Sequence, residues 1–207
     1  SYLIVELEAY YPYWTVAKKN RYFGIKSWPP EEAGQMKVAG YEYKASHAAP
    51  LSKQVQGTIF QAISTGAEEE EVVEVLRPIV RSVLQGETPL ADLSSWTRLG
   101  KKPEEYNPSH TPNGAKAALY YNKHLSDDKK FSMGDSVPWV YVSNPPEGLP
   151  PTNVVAYMNE SELDAFLLDR TTMVEKLVKA KIESAFKEAM GWDTDRAVGK
   201  PAPKRYW

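Results

Sequence analysis

The stretch TVAKKNRYFGI, residues 15–25, combines β-branched and aromatic residues with three cations. These residue types favour a half-buried strand. Side chains alternate between the faces of a strand, which predicts Lys19 and Arg21 on one face and Lys18, Asn20 and Tyr22 on the other. A cationic pair beside a phenol suits a surface that binds a phosphate backbone. A basic strand end also protects an exposed sheet edge from pairing, so the stretch alone leaves both interpretations open.

Residues 2–14, just upstream, are rich in aromatic and β-branched types and predict a further strand, with Pro12 at a bend or an edge. This segment offers more apolar surface than a short hairpin buries in itself, which predicts that it packs against another polypeptide. The residues of that surface are Tyr2, Ile4, Tyr10, Tyr11, Tyr13 and Trp14.

Downstream, the segment 27–45 contains Trp28-Pro29-Pro30 and predicts a connector. Beyond it, apolar periodicity predicts helices over about 50–64, capped by Ser46, and over 67–85, 114–124 and 169–190. Strands are predicted over 139–143 and 153–158. The sequence therefore predicts an α+β fold that is mainly helical after its N-terminal strands.

Composition excludes several classes of protein. The chain has 207 residues, a formal net charge of −2, 42% hydrophobic residues and no cysteine, as expected for a globular chain of one or two domains without disulfides. We find neither a long apolar run nor a signal-peptide pattern, so we expect a cytoplasmic, nucleoid-associated protein with no membrane partner. Its cations are clustered, and this local pattern outweighs the slightly acidic sum for nucleic-acid binding.

Several short motifs follow one another along nearly the whole chain. They are LIVELE at 3–8, KNRYFG at 19–24, GYEYK at 40–44, LSSWTRL at 93–99, PNGAKAA at 112–118 and MGW at 190–192. In this order they resemble the end of the palm and the start of the thumb of archaeal-type family B DNA polymerases. The resemblance implies N-terminal strands that complete a palm sheet over 1–26, the connector 27–45, a thumb domain over 46–190 and a polar tail over 191–207.

The resemblance also implies which residues contact DNA. Lys19, Arg21 and Tyr22 match the family's basic motif, which would hold the primer–template near the growing end. Lys18, Lys44 and Arg98 would add contacts to the phosphate backbone, which position a duplex without reading its sequence.

The chain departs from the family pattern at several places. The basic motif is commonly Lys-Lys-Arg-Tyr, and Asn20 occupies its second position. After Lys44, Ala45 and Ser46 replace residues that are often charged, which puts phosphate contacts there in doubt. The C-terminal end has paired aromatics but lacks the glutamine of a clamp-binding peptide, so clamp binding is unsupported.

No catalytic or metal-ligating residue is predicted. The sequence lacks a Gly-rich phosphate loop, a His-Glu-x-x-His motif and a cysteine nucleophile. Asp193-Thr194-Asp195 has the core of the palm metal motif, but it follows the last predicted helix instead of preceding the basic motif. We interpret it as a helix-exit turn.

These features predict a non-catalytic small subunit of a split family B DNA polymerase, or a fragment of an unsplit one. The large partner polypeptide would carry the exonuclease, the fingers, the palm carboxylates and their Mg²⁺. Two alternatives are a stand-alone module for non-specific nucleic-acid binding and a structural interaction protein whose basic strand meets an acidic protein face.

Overall fold

The computed structural model describes residues 5–126 and 128–199. Its N-terminal antiparallel strands and its helices confirm the predicted α+β class. The chain divides into two compact units: the first takes the described parts of 1–44, 52–81 and 178–207, and the second those of 45–51 and 82–177. The segment boundaries predicted from the sequence stay predictions.

A three-stranded antiparallel sheet opens the first unit, in the order β1 (Trp14–Lys18), β2 (Arg21–Ile25) and β3 (Met36–Ala39). The single strand predicted over 15–25 is wrong, because the chain turns back at residues 19–20. Asn20 has a φ of 64°. Asparagine tolerates this left-handed conformation, so the residue that seemed a mere departure from the motif makes the turn.

The hairpin also corrects the predicted faces of the basic residues. Lys18 lies directly opposite Arg21, and a register shift separates this pair from the pair of Val16 and Tyr22. Side chains that are directly opposite on paired strands share a face. Lys18 and Arg21 are therefore neighbours, whereas alternation along one strand had put them on opposite faces.

Residues 5–13 do not form the predicted strand. Their one bridge joins Tyr10 to Trp28, where the Ser27 N–H donates to the Tyr10 carbonyl at 2.8 Å. Trp28 precedes Pro29 through a cis peptide bond. The predicted contributions of Tyr2 and Ile4 lie outside the described residues. The sequence also missed β3, which lies within the predicted connector.

Helices complete the first unit. They are most of α1 (Pro50–Ser64), most of α2 (Glu69–Gln85) and the end of a long helical segment over 170–190. The three predicted helices are confirmed, but Ser46 lies four residues before α1 and does not cap it. Proline at the first position suits a helix start, since its missing N–H needs no partner there. The buried core includes Val55, Ile59, Phe60, Leu76, Ile182 and Phe186.

The second unit has its own sheet and core. Strands β4 (Ser95–Arg98), β5 (Ser136–Asn144) and β6 (Val154–Ala156) pair antiparallel in that order, and β7 (Leu167–Leu168) also pairs with β5. Helices α3 (Leu90–Leu93) and α4 (Asn113–His124) belong to this unit. The predictions of α4, β5 and β6 are confirmed. Ala115, Ala118, Val137, Trp139 and Val154 are part of the core.

The long helical segment begins at Arg170, with the Asp169 side chain accepting from the Thr172 N–H as its N-cap. It alternates α-helical turns, Arg170–Met173 and Ala180–Glu183, with wider π-helical turns, Val174–Lys179 and Ser184–Met190. Gly191 ends it with a φ of 71°, as predicted. Within the described residues, no helix is both long and apolar enough to cross a membrane.

Candidate nucleic-acid interface

The tip of the β1–β2 hairpin carries three cations. Lys18 ends β1, Lys19 is the first residue of the turn, and Arg21 begins β2. Lys18 and Lys19 are exposed and Arg21 is partly buried. No ion pair joins Lys19 to any other residue that the structure describes. The hairpin thus presents its cations on a tight turn, where their backbone positions are fixed by the strand pairing.

Arg21 contacts a cluster of aromatic side chains. Its guanidinium carbon lies 5.5 Å from the centre of the Tyr41 ring, which is within the range of a cation–π contact. Tyr41 packs edge-on against Phe60 of α1 at 4.7 Å, and Phe23 of β2 stacks on the same Phe60 ring at 4.3 Å. Burial raises the pKa of Tyr41, so its ring stays neutral. The aromatic cluster connects the hairpin to the core of its unit.

Gly40 allows the chain after β3 to pass close to the hairpin turn. A Cβ built at Gly40 would lie 2.2 Å from the Asn20 carbonyl oxygen, and the residue has a φ of +74°. Only glycine adopts that conformation freely and leaves this space empty. The first residue of the GYEYK motif is therefore explained by its contact with the KNRYFG motif.

One acidic residue lies among the cations. The Lys18 Nζ is 2.5 Å from an Oε1 of Glu188, and the Ser184 hydroxyl donates to the other carboxylate oxygen at 2.7 Å. The hydrogen bond from Lys18, then that from Ser184 and the nearby charge of Arg21, lower the pKa of Glu188. Sequence reasoning missed this residue because it lies at the far end of the chain.

Tyr22 packs against a row of tilted aromatic rings. Its ring is 4.9 Å from that of Trp14, which is 4.5 Å from that of Tyr11. Gly24 makes this packing possible, since a Cβ there would lie 2.8 Å from a Trp14 ring carbon. Tyr22 is half-buried and contributes to the packing of the sheet.

The other two predicted DNA contacts lie apart in the chain. Lys44 is exposed at the end of the short 3-10 helix Glu42–Lys44 in the first unit. Arg98 is exposed at the end of β4, opposite Ser136, and belongs to the second unit. The structure therefore brings Lys18, Lys19, Arg21 and Tyr22 together on one hairpin.

The two aspartates of the Asp193-Thr194-Asp195 motif have partners within the protein. The Asp193 side chain accepts from the Asp195 N–H as the N-cap of the short helix Thr194–Ala197. The Asp195 carboxylate lies 2.6 Å from the Lys179 Nζ. Residues 5–126 and 128–199 contain no cluster of three His, Cys, Asp or Glu side chains suited to a metal.

Comparison with known proteins decides the family. The model of DNA polymerase family B matches residues 1–188. The chain belongs to DNA polymerase family B. No curated protein matches it in sequence. Among solved structures, it is similar to the family B DNA polymerase from the hyperthermophilic archaeon Pyrobaculum calidifontis, with a TM-score of 0.57 and 21% identity.

That similarity covers 90% of this chain and 21% of the archaeal polymerase. At this identity it shows the shared fold, and the chain spans about a fifth of the length of that enzyme. Family membership places the hairpin and the whole of the second unit within a nucleotidyltransferase family. The basic hairpin lies within the matched residues, so it is part of the family's fold.

Proposed function

We propose that this chain is the non-catalytic, duplex-binding part of a family B DNA polymerase, corresponding to the end of the palm and the thumb. It is either the small subunit of a split enzyme or a fragment of an unsplit one. The observation that carries the proposal is the basic hairpin tip within the family match. Lys18, Lys19 and Arg21 lie within four residues there, on a turn fixed by strand pairing.

The electrostatics of the tip support contacts with phosphates. Lysine and arginine bind the phosphate backbone without reading base sequence, as a polymerase that moves along its template requires. Arg21 is positioned by the Tyr41 ring, and Lys19 has no carboxylate partner among the described residues. Glu188 reduces the positive potential beside Lys18, so we assign the strongest contacts to Lys19 and Arg21. Lys44 and Arg98 are proposed as weaker backbone contacts.

Exposed apolar side chains in the N-terminal part of the first unit support the proposal of a large partner polypeptide. β1 is an edge strand, and its Trp14 and Val16 side chains are 43% and 54% exposed. Val5 and Leu7, just upstream, are 83% and 67% exposed. An edge strand with exposed apolar side chains is a surface to which another strand can add. The partner would bring the exonuclease, the fingers and the palm carboxylates with their Mg²⁺.

The roles of Asp193 and Asp195 support the absence of catalysis from this chain. One caps a helix and the other pairs with Lys179, so neither carboxylate is placed as half of a two-metal site. The chemistry of nucleotide addition would then belong to the partner.

A primer-extension assay tests the proposal. This chain alone, a family B polypeptide with palm and fingers alone, and the mixture are each given Mg²⁺, all four deoxynucleotides and a primer–template. We expect synthesis to appear or to become more processive only in the mixture. K19A/R21A should reduce that gain, whereas K53A/R81A removes the same charge from α1 and α2 of the chain and should preserve it.

Tyr22 is left unchanged in this assay, since removal of its ring would also disturb its packing against Trp14. Extension that does not respond to this chain would contradict the polymerase role. Appreciable duplex binding by the chain without any effect on extension would favour a stand-alone binding module.

A further inference from the structure

The second unit contains a pocket that the duplex-binding role does not use. It has a volume of about 350 Å³ and is lined by α4 and by residues of the 3-10 helices Pro103–Glu105 and Pro108–His110. Sites for small molecules usually have volumes from about 300 to 1,000 Å³ and mostly apolar walls. This pocket is large enough for one small ligand.

The hydroxyl groups of the pocket already bind to the backbone. Tyr120 donates to the Pro150 carbonyl at 2.8 Å, and Thr111 donates to the Asn107 carbonyl at 2.6 Å. The Tyr106 hydroxyl accepts from the Gly100 N–H at 2.9 Å. These bonds hold the aromatic walls in place. They also leave the charged side chains as the main polar groups for a ligand.

Those charged groups are two lysines. Lys116 and Lys123 line the pocket from α4, together with the imidazole of His124. Aspartate and glutamate are absent from the described lining, and neither lysine forms an ion pair with another described residue. The charge of the pocket therefore complements an anion.

The walls offer flat surfaces next to these cations. The Tyr106 ring is half-buried, with the Lys101 Nζ 4.9 Å from its centre, and the exposed His124 ring lies 4.9 Å from the buried Tyr120 ring. Aromatic side chains beside a basic groove are the usual means of binding single-stranded nucleic acid. Bases stack on the rings and cations contact the backbone.

We infer that this pocket binds one nucleotide of single-stranded DNA. The base lies against the aromatic wall, and the adjacent phosphates are held by Lys116 and Lys123. This binding is separate from the duplex contacts of the hairpin and does not depend on them. An acidic, aromatic peptide would offer similar charge, but the two lysines on one helix face suit successive phosphates of a strand.

Fluorescence anisotropy with a labelled thymidine octamer tests the inference on the full chain. We expect K116A/K123A to weaken binding tenfold or more at low salt. The slope of log affinity against log salt should fall by about 0.7 for each lost phosphate contact. K129A/K130A removes the same charge from exposed lysines of the same unit that do not line the pocket, and it should bind nearly as the parent does.

A second readout locates the strand. An octamer with 4-thiothymidine should crosslink on irradiation to the peptide that contains Tyr106 or to that of Tyr120 and His124. Equal losses in the two double variants would overturn the inference, as would crosslinks confined to the hairpin or full competition by polyglutamate–tyrosine peptide. The hairpin variant K19A/R21A should keep octamer binding while it loses duplex binding, so the failures of the two proposals are distinguishable.

Discussion

The guanidinium carbon of Arg21 lies 5.5 Å from the centre of the Tyr41 ring. Tyr41 is itself held against Phe60, so the position of this cation is set by the core of its unit. An arginine that is already oriented loses less side-chain entropy when it binds a phosphate. Tyr41 is therefore a positioning residue for the proposed duplex contact.

Replacement of Tyr41 tests this relationship. Tyr41→Leu should weaken duplex binding about two- to fivefold, since an exposed cation–π contact contributes roughly 0.5–1 kcal/mol. Tyr41→Phe keeps the ring and should bind almost normally. Both are measured by anisotropy, under conditions in which urea unfolding shows each variant to be fully folded. Equal affinities of the Leu and Phe variants would contradict the positioning role.

The salt dependence of duplex binding counts the phosphate contacts of the hairpin. Lys19→Ala and Arg21→Ala should each reduce the slope of log affinity against log salt by about 0.9, the value for one phosphate contact on B-DNA. The measurement is a titration of labelled duplex between low and moderate salt. Lys53→Ala in α1 is the matched control and should leave the slope unchanged. An unchanged slope in both hairpin variants would remove them from the interface.

Removal of the Glu188 charge should change duplex affinity in the opposite direction. Its carboxylate pairs with Lys18 and also feels the charge of Arg21, so it should repel an approaching phosphate. Glu188→Gln should raise duplex affinity about two- to fivefold at low salt, because charges about 4 Å apart in water interact by about 1 kcal/mol. The gain should shrink as salt screens it.

Glu183→Gln provides the control for Glu188. Glu183 pairs with Lys187 at 2.7 Å in the same helical segment, and its replacement changes the net charge equally. We expect no gain in affinity from this variant. A similar gain from both would show an effect of overall charge, and no gain from Glu188→Gln would place the duplex elsewhere.

Alanine substitutions at two glycines distinguish the cost of backbone strain from the cost of steric overlap. Gly34 and Gly40 have φ values of +86° and +74°, but only the added Cβ of Gly40 meets neighbouring atoms. Gly34→Ala should lower the free energy of unfolding by about 1–2 kcal/mol, the cost of the left-handed conformation. Gly40→Ala should lower it by about 1–3 kcal/mol more through overpacking against Asn20. Urea unfolding measures both, and equal losses would contradict the close approach.

The lowered pKa of Glu162 predicts that the stability of the protein depends on pH. Burial disfavours its charged form, but hydrogen bonds from the Met158 and Asn159 N–H groups and from the Tyr121 hydroxyl outweigh burial and lower its pKa. A lowered pKa in the folded state stabilises the protein above the unfolded-state pKa, about 4.3 for glutamate. That stability is lost as the pH falls through the folded-state pKa.

Urea unfolding between pH 7 and pH 3 tests this pH dependence. Glu162→Gln should be less stable than the parent at pH 7 and should lose less stability on acidification. Glu160→Gln, an exposed residue of the same 3-10 helix, should follow the curve of the parent. Parallel curves for the parent and Glu162→Gln would contradict the lowered pKa.

The helices could be predicted from the sequence because their signals are local. Val55, Ile59 and Ile63 repeat every four residues and are all buried on α1. Gly191 has the positive φ expected of a residue that ends a helix. In both cases the residues that determine the structure lie within a few positions of one another.

The hairpin and its tertiary contacts were harder to predict from the sequence. Asn20 without a following glycine is a weak turn signal, and alternation continues on both sides of it. β4 exists because it pairs with β5, and Glu188 meets Lys18 across most of the chain. Such partners are set by the tertiary fold, which residue spacing does not reveal.

The first unit draws its residues from three separate parts of the chain. Truncation after residue 177 would remove Ile182 and Phe186, two fully buried side chains, from the same unit that carries the hairpin. A shortened version with only the N-terminal strands and first helices would therefore expose apolar surface and would be prone to aggregate. Deletion variants made to isolate the DNA-binding hairpin should retain residues 178–199.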